Sequence, residues 1–155
     1  MTHRNYALRG YGMTALVDRA TGDTVGFIGL VHPNDQIEAE LKYALHRAWW
    51  GRGLATEGAT GMLAYAASML GLEQVMATAA PEHTLSHRVL IKAGLQRGAV
   101  RHNADGSLTH CSRGTQHRDR MSADVASTLA RRLFRTGGIE RVRQAASTFN
   151  PSHKE

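Results

Sequence analysis

The alternation of apolar and polar positions divides the first two thirds of the chain into a short series of elements. Met13 to Asp18 predicts a strand, and Thr24 to Val31 predicts a second one rich in Val, Phe and Ile. Thr21-Gly22-Asp23 between them is turn chemistry, so the two form an antiparallel hairpin. His32-Pro33-Asn34-Asp35 reads as a loop. From Ile37 to Leu45 the alternation is strict. Ile37, Ala39, Leu41, Tyr43 and Leu45 fall on one face, and Glu38, Glu40 and Lys42 on the other. That predicts a strand with one buried and one polar face.

The period then changes. Ala55, Ala59, Met62, Ala66 and Met69 recur at three- and four-residue steps, which predicts a helix over Ala55 to Leu70 with Gly71 ending it. Gln74 to Ala79 is another strand, stopped by Pro81. Thr84 to Ala93 is a shorter helix with Leu85, Val89 and Ala93 on one side and Gly94 as its stop. A strand, a crossover helix and a further strand imply a parallel pair at the centre of a mixed sheet. The expected class is α/β (α+β mixed sheet), with any ligand outside the carboxyl ends of the central strands.

After Gly98 the pattern weakens. Arg101 to Arg120 is rich in His, Arg, Gly and Ser and holds at most one hairpin, around Asp105-Gly106. Ser122 reads as a helix N-cap, with Val125, Leu129 and Leu133 as its apolar stripe. Gly137-Gly138 breaks that helix, and Ile139, Val142, Ala146 and Phe149 suggest a last short one. The expected organisation is a domain over residues 1–121, with its core motifs in 11–98, and a basic helical C-terminal extension over 122–155.

The stretch between the alternating strand and the first helix carries the candidate chemistry. In Trp49-Trp50-Gly51-Arg52-Gly53-Leu54-Ala55-Thr56-Glu57, two glycines flank an arginine at a strand-to-helix turn. Glycine lets the backbone turn sharply and approach a ligand closely. The first N–H groups of the helix lack intrahelical partners and sit at its positive end, which suits a phosphate or pyrophosphate. The spacing matches neither of the common phosphate-loop patterns. Taken alone, the motif more often marks a tight turn with no ligand.

Composition narrows the partners. The chain has 155 residues, 42% hydrophobic and 21% charged, as expected of one soluble domain. A net charge of +6 favours a polyphosphate cofactor, an acidic protein surface or nucleic acid. Cys111 is the only cysteine, so no internal disulfide forms and a reducing, cytoplasmic location is expected. Met1 to Asn5 opens no apolar run, so no signal peptide is expected. The longest apolar patch, Leu63 to Leu70, is too short to span a bilayer, and no membrane partner is expected.

No metal site is expected either. His83 and His87 are four apart without a third ligand beside them, and His102, His110, Cys111 and His117 match no common zinc spacing. Trp49 is expected in the core. The arginines Arg131, Arg132, Arg135, Arg141 and Arg143 suggest a solvated helix face, with nucleic-acid contact as the sharper alternative.

Three segments together are more specific. Glu40-Leu41-Lys42-Tyr43-Ala44-Leu45, then Trp50-Gly51-Arg52-Gly53-Leu54-Ala55-Thr56-Glu57, then Ser86-His87-Arg88-Val89-Leu90-Ile91-Lys92-Ala93-Gly94-Leu95 resembles the GNAT family of acyl-CoA N-acyltransferases. It looks most like the branch that includes the ribosomal-protein alanine N-acetyltransferases. The resemblance covers Tyr11 to Gly98 and implies a GNAT-like fold that uses acetyl-CoA as co-substrate.

It also implies a cofactor site. Trp50, Gly53 and Ala55 take the family's phosphate-turn positions, and the amides of Arg52, Gly53, Leu54, Ala55 and Thr56 would hold the pyrophosphate, with Gly51 in the same turn. Ala44, Leu45 and His46 would pair with the pantetheine arm. The implied activity is acetyl transfer to a primary amine, a protein N-terminus or a small amine, by direct attack in a ternary complex.

Two residues are the candidate catalytic groups. Glu40 matches a glutamate of that branch and would act as general base, directly or through water; a solvated residue on an open face is the plain alternative, and Glu38 is the competing carboxylate. Ser86 would contact the cofactor and donate to the leaving thiolate, or else help cap its helix. A tyrosine is the commoner proton donor in the family, and none is expected near Ser86. His83 stands where the family usually has asparagine.

The family's first strand and first two helices have no counterpart, because Met1 to Gly12 matches at most the tail of the second helix. The expectation is therefore an N-terminally incomplete fold, completed by a homodimer or a partner chain. A second reading follows: a catalytically inactive or partner-dependent module of this fold that binds RNA or protein through its basic tail.

Overall fold

The computed structural model describes residues 7–106 and 108–115. Its strands are β1 (Met13–Val17), β2 (Thr24–Val31), β3 (Ala39–Leu45), β4 (Gln74–Ala79), β5 (Gln96–His102) and β6 (Leu108–Thr115). Its longer helices are α1 (Leu54–Ser68) and α2 (Thr84–Lys92), and residues 7–9 are helical as well. They form one sheet in the order β1-β2-β3-β4-β6-β5, in which only the β3–β4 neighbours run parallel. The helical readings over Ser122 to Phe149, the extension over 122–155 and the Arg-rich end lie outside the described residues.

The β1–β2 turn is fixed by its own side chains. Asp18 Oδ1 accepts from the amides of Ala20 at 2.8 Å and Thr21 at 2.9 Å, the local bonding that suits aspartate to turns. The β2 and β3 ladder runs from Val31 opposite Glu40 to Gly26 opposite Leu45. Ile37 was expected on the buried face of this strand, but it lies outside β3 and is 94% exposed. The reason is the 3-10 turn at Pro33–Asp35 and the buried ring of His32. Nδ1 of His32 donates to the Gln36 carbonyl at 2.9 Å, and Tyr11 donates to Nε2 at 2.8 Å. These bonds hold the connection off the ladder until Ala39.

Both helices cover one face of the sheet. Ile28 and Leu30 of β2, Leu41 of β3 and Val75 and Ala77 of β4 pack there against Ala59, Met62, Leu63 and Ala66 of α1, with Leu90 of α2. The opposite face is not open at its centre. Val31, Glu40 and Met76 point there by strand alternation, and all three are buried. The expected polar face of β3 is thus a second buried layer at Glu40. The strand β5, at the sheet edge, is exposed along its whole length. The hairpin expected around Asp105-Gly106 is present as β5 and β6, and β5 begins at Gln96.

Gly29 lets β1 approach β2. A Cβ at that position would overlap the Gly12 carbonyl oxygen and stand 2.5 Å from Met13 Cα, both main-chain atoms that have no rotamer to yield. Gly29→Ala is expected to destabilise the fold by about 3 kcal/mol, the upper end of ordinary overpacking costs. Chemical denaturation of the two proteins checks this.

Candidate active site

The two parallel strands at the centre separate almost at once. β3 and β4 pair only at Ala39–Val75 and Glu40–Met76. Beyond that point β3 stays with β2 as far as Leu45, and β4 stays with β6 as far as Ala79. The gap between them widens toward their carboxyl ends. A cavity of about 170 Å³ lies in it, lined by Leu41, Lys42 and Tyr43, by Ala77, Thr78 and Ala79, and by His83, Ser86 and Leu90.

The register decides which main-chain groups face this gap. The His46 amide donates to the Val25 carbonyl at 2.9 Å, so it faces β2. Groups along an antiparallel ladder alternate. Ala44 therefore also faces β2, while Tyr43 and Leu45 face the gap. The Leu45 carbonyl accepts the Trp50 Nε1–H at 2.9 Å. The strand edge expected at Ala44, Leu45 and His46 is thus carried by Tyr43 and the Leu45 amide, because the register turns Ala44 and His46 away.

Three polar side chains close the apex of the gap. Lys42 Nζ lies 2.5 Å from Glu40 Oε1 and donates to Thr78 Oγ1 at 3.1 Å. The Thr78 hydroxyl donates in turn to Glu40 Oε1. Glu40 is only 3% exposed, so its carboxylate depends on these partners. Glu38 precedes β3 and does not line the cavity.

Ser86 and His83 come from the start of α2. His83 is the N-cap residue, exposed, without a side-chain capping bond. The Ser86 carbonyl accepts a hydrogen bond from the Tyr43 hydroxyl at 3.3 Å, which ties α2 to β3 across the cavity. Burial pushes the Tyr43 phenol above its ordinary value, and the bond to Ser86 opposes this more weakly. The phenol therefore stays protonated at neutral pH. No tyrosine was expected near Ser86; the signal for one was the alternation that put Tyr43 on the buried face of its strand. His87 turns away from His83: it is buried, and its Nε2–H donates to the Ala80 carbonyl at 3.0 Å.

The glycine turn follows the carboxyl end of β3, to which Trp50 is bonded through the Leu45 carbonyl. Gly51 has φ +74 and Gly53, the N-cap of α1, has φ +76, a region that costs glycine nothing. The first inward bond of the helix is from the Glu57 amide to the Gly53 carbonyl at 3.0 Å. Among the described residues, no main-chain acceptor takes the amides of Gly51 to Thr56. No heavy atom lies within 4 Å of the space a Cβ would fill at Gly51 or Gly53. The nearby arginines lie back on indole rings, Arg52 at 4.7 Å from the Trp49 centroid and Arg47 at 5.6 Å from that of Trp50. Trp49 was expected in the core; it is instead part-exposed and carries Arg52. Asp18 lies near this turn. Its carboxyl is held low, first by the Thr21 amide and least by the charge of Arg52.

Among the described residues no group of three His, Cys, Asp or Glu side chains is placed to hold a metal. The side chains of His110 and Cys111, and all of His117, lie outside the described set. Among the described residues no helix is long and apolar enough to cross a membrane.

This architecture has relatives. Residues 1–96 match the family model described as an acetyltransferase (GNAT) domain, and the chain belongs to that family. A curated relative from Bacillus subtilis (strain 168), the uncharacterized N-acetyltransferase YoaA, is 31% identical over 77 residues, 50% of this chain and 42% of that protein. The match spans less than half of that relative. The crystal structure of an acetyltransferase from Agrobacterium tumefaciens str. C58 is similar with a TM-score of 0.65 and 25% identity, over 74% of this chain and 67% of that one. A mutant of the spermidine N-acetyltransferase SpeG from Vibrio cholerae has a TM-score of 0.62 at 14% identity, over 75% and 72% of the two chains, and shows the fold alone. The mixed sheet with its helices is the fold of these acetyltransferases.

Tyr43→Phe removes the tie to Ser86 and should cost about 1 kcal/mol at neutral pH. A phenol raised in the folded state is ionised first in the unfolded chain. Stability is therefore full below the ordinary phenol value of 10.0 and falls as pH rises through the higher folded one. Tyr11 is shifted the same way, again chiefly by burial. Melting temperature followed into alkaline solution should fall above about pH 10, and less steeply in Tyr43→Phe.

Proposed function

We propose that the protein transfers an acetyl group from acetyl-CoA to a primary amine by direct attack within a ternary complex. The observation that carries the reading is the pairing of an amide-lined, sterically open glycine turn with a divided strand pair at its side. Acetyl-CoA fits what is present: an anionic diphosphate suits the free amides of Gly51 to Thr56. An extended amide-bearing arm suits the strand edge at Tyr43 and Leu45. The co-substrate supplies an activated acyl thioester.

The residues of this chain then divide the work. Trp50, pinned to the Leu45 carbonyl, sets the relation between turn and strand. His83 and Ser86 border the cavity where the thioester group would sit. Glu40 takes the proton of the acceptor amine, directly or through water. Either the Ser86 hydroxyl or the neutral Tyr43 phenol returns a proton to the leaving thiolate. The acceptor we favour is a protein N-terminus, as in the ribosomal-protein alanine N-acetyltransferase branch that the three segments resemble, with a small amine as the other class.

Titration with acetyl-CoA, followed by melting temperature or tryptophan fluorescence, tests the reading. A ligand that binds only the native state stabilises it by about 2.7 kcal/mol at a hundred times its Kd. No shift at millimolar acetyl-CoA would remove the proposal. With a reactive amine supplied, Glu40→Gln should lower the rate of thiol release by about a hundredfold while the acetyl-CoA shift remains.

A further inference from the structure

Lys42 is a primary amine that lines the cavity where amines are to be acetylated, with its side chain 43% exposed. From β3 its side chain reaches Thr78 of β4, with Nζ 2.5 Å from Glu40 Oε1 and 3.1 Å from Thr78 Oγ1. That is the relation an acceptor amine must adopt toward the base that deprotonates it. The composition sharpens the point. Of nineteen basic Lys and Arg residues, only Lys42, Lys92 and Lys154 are lysines, and the rest are arginines, which do not serve as amine acceptors. Of the two that are described, Lys42 and Lys92, Lys42 lines this cavity.

We infer that Lys42 is a self-acetylation site, modified by the acyl thioester bound in its own chain. This rests on the function proposed above. One proton of the Lys42 ammonium passes to Glu40. The freed Nζ lone pair attacks the acyl carbon, so that an N–C bond forms and the C–S bond breaks. A second nitrogen proton goes to the departing sulfur, giving the free thiol, and Glu40 releases its proton to water. Lys42 ends as a neutral amide with one N–H. The ion pair to Glu40 is then gone, and the carboxylate keeps only the Thr78 hydroxyl. Self-acetylation thereby releases the base from its internal cation and readies it for an external amine.

The test uses the full chain and acetyl-CoA carrying an isotope-labelled acetyl group, without any acceptor. Label is read by peptide mass spectrometry at Lys42 and at Lys92, which is solvent-exposed. Labelling of Lys42 is expected about a hundredfold faster than that of Lys92, the gain that positioning and a neighbouring base supply. The preference should vanish in urea. Equal labelling at the two sites overturns the inference. So does an unlabelled Lys42 in protein that still shows the acetyl-CoA melting shift and still releases thiol with an added amine, an outcome that leaves the proposed function standing. Loss of the melting shift as well removes both. Glu40→Gln should slow Lys42 labelling by a similar factor with the shift retained, and unchanged labelling overturns the proposed step. In Lys42→Arg, which keeps the charge, the fast-appearing acetyl mass should disappear; its persistence places the acetyl group elsewhere and sinks the assignment.

Discussion

The parting of β3 and β4 immediately after Glu40 and Met76 is the constraint from which the rest of the site follows. Two parallel strands in register would satisfy each other along their length and leave no cavity. Here each is held by its outer neighbour instead, β3 by β2 and β4 by β6. The gap is therefore flanked on both sides by hydrogen-bonded ladders. Main-chain groups of Tyr43 and Leu45 face it, the start of α2 borders it through His83 and Ser86, and the glycine turn that opens α1 follows the end of β3.

The polar network at the apex answers a cost set by the same geometry. Glu40 belongs to the last bridge before the strands separate, on a face that the structure buries. A lone carboxylate there is expensive. Lys42, two residues on along β3, and Thr78, two residues past Met76 on β4, reach it from the two sides of the gap. The network bridges strands that no longer share a ladder. Its price in function is that the candidate base starts out paired with a cation.

Much of the architecture could be read from residue order. The bounds of β2 and β4 agree with the alternation, and the crossover from β3 through α1 to β4 gave the parallel centre. The glycine turn was legible because Gly51 and Gly53 are needed where φ is positive. Tyr43 was missed as a neighbour of Ser86 because the two are far apart in sequence and meet only through α2 docking on β3. The plain alternative for Glu40, a solvated residue on an open face, fails for a similar reason: that face is covered. Alternation assigns a residue to a face, but it does not say whether that face is covered.

What the sequence by itself determined is therefore local and periodic: between residues 13 and 94, which segments are strands, which are helices, where the chain must turn through glycine, and, apart from Ile37, which face the strand residues take. These follow from steric limits on the backbone and from apolar spacing, both of which act over a few residues. Only the tertiary structure decided the register of β3 on β2, the burial of Glu40, its capture by Lys42 and Thr78, and the meeting of Tyr43 with α2. Each of these depends on which distant segment comes to lie alongside, and no short-range pattern carries that information.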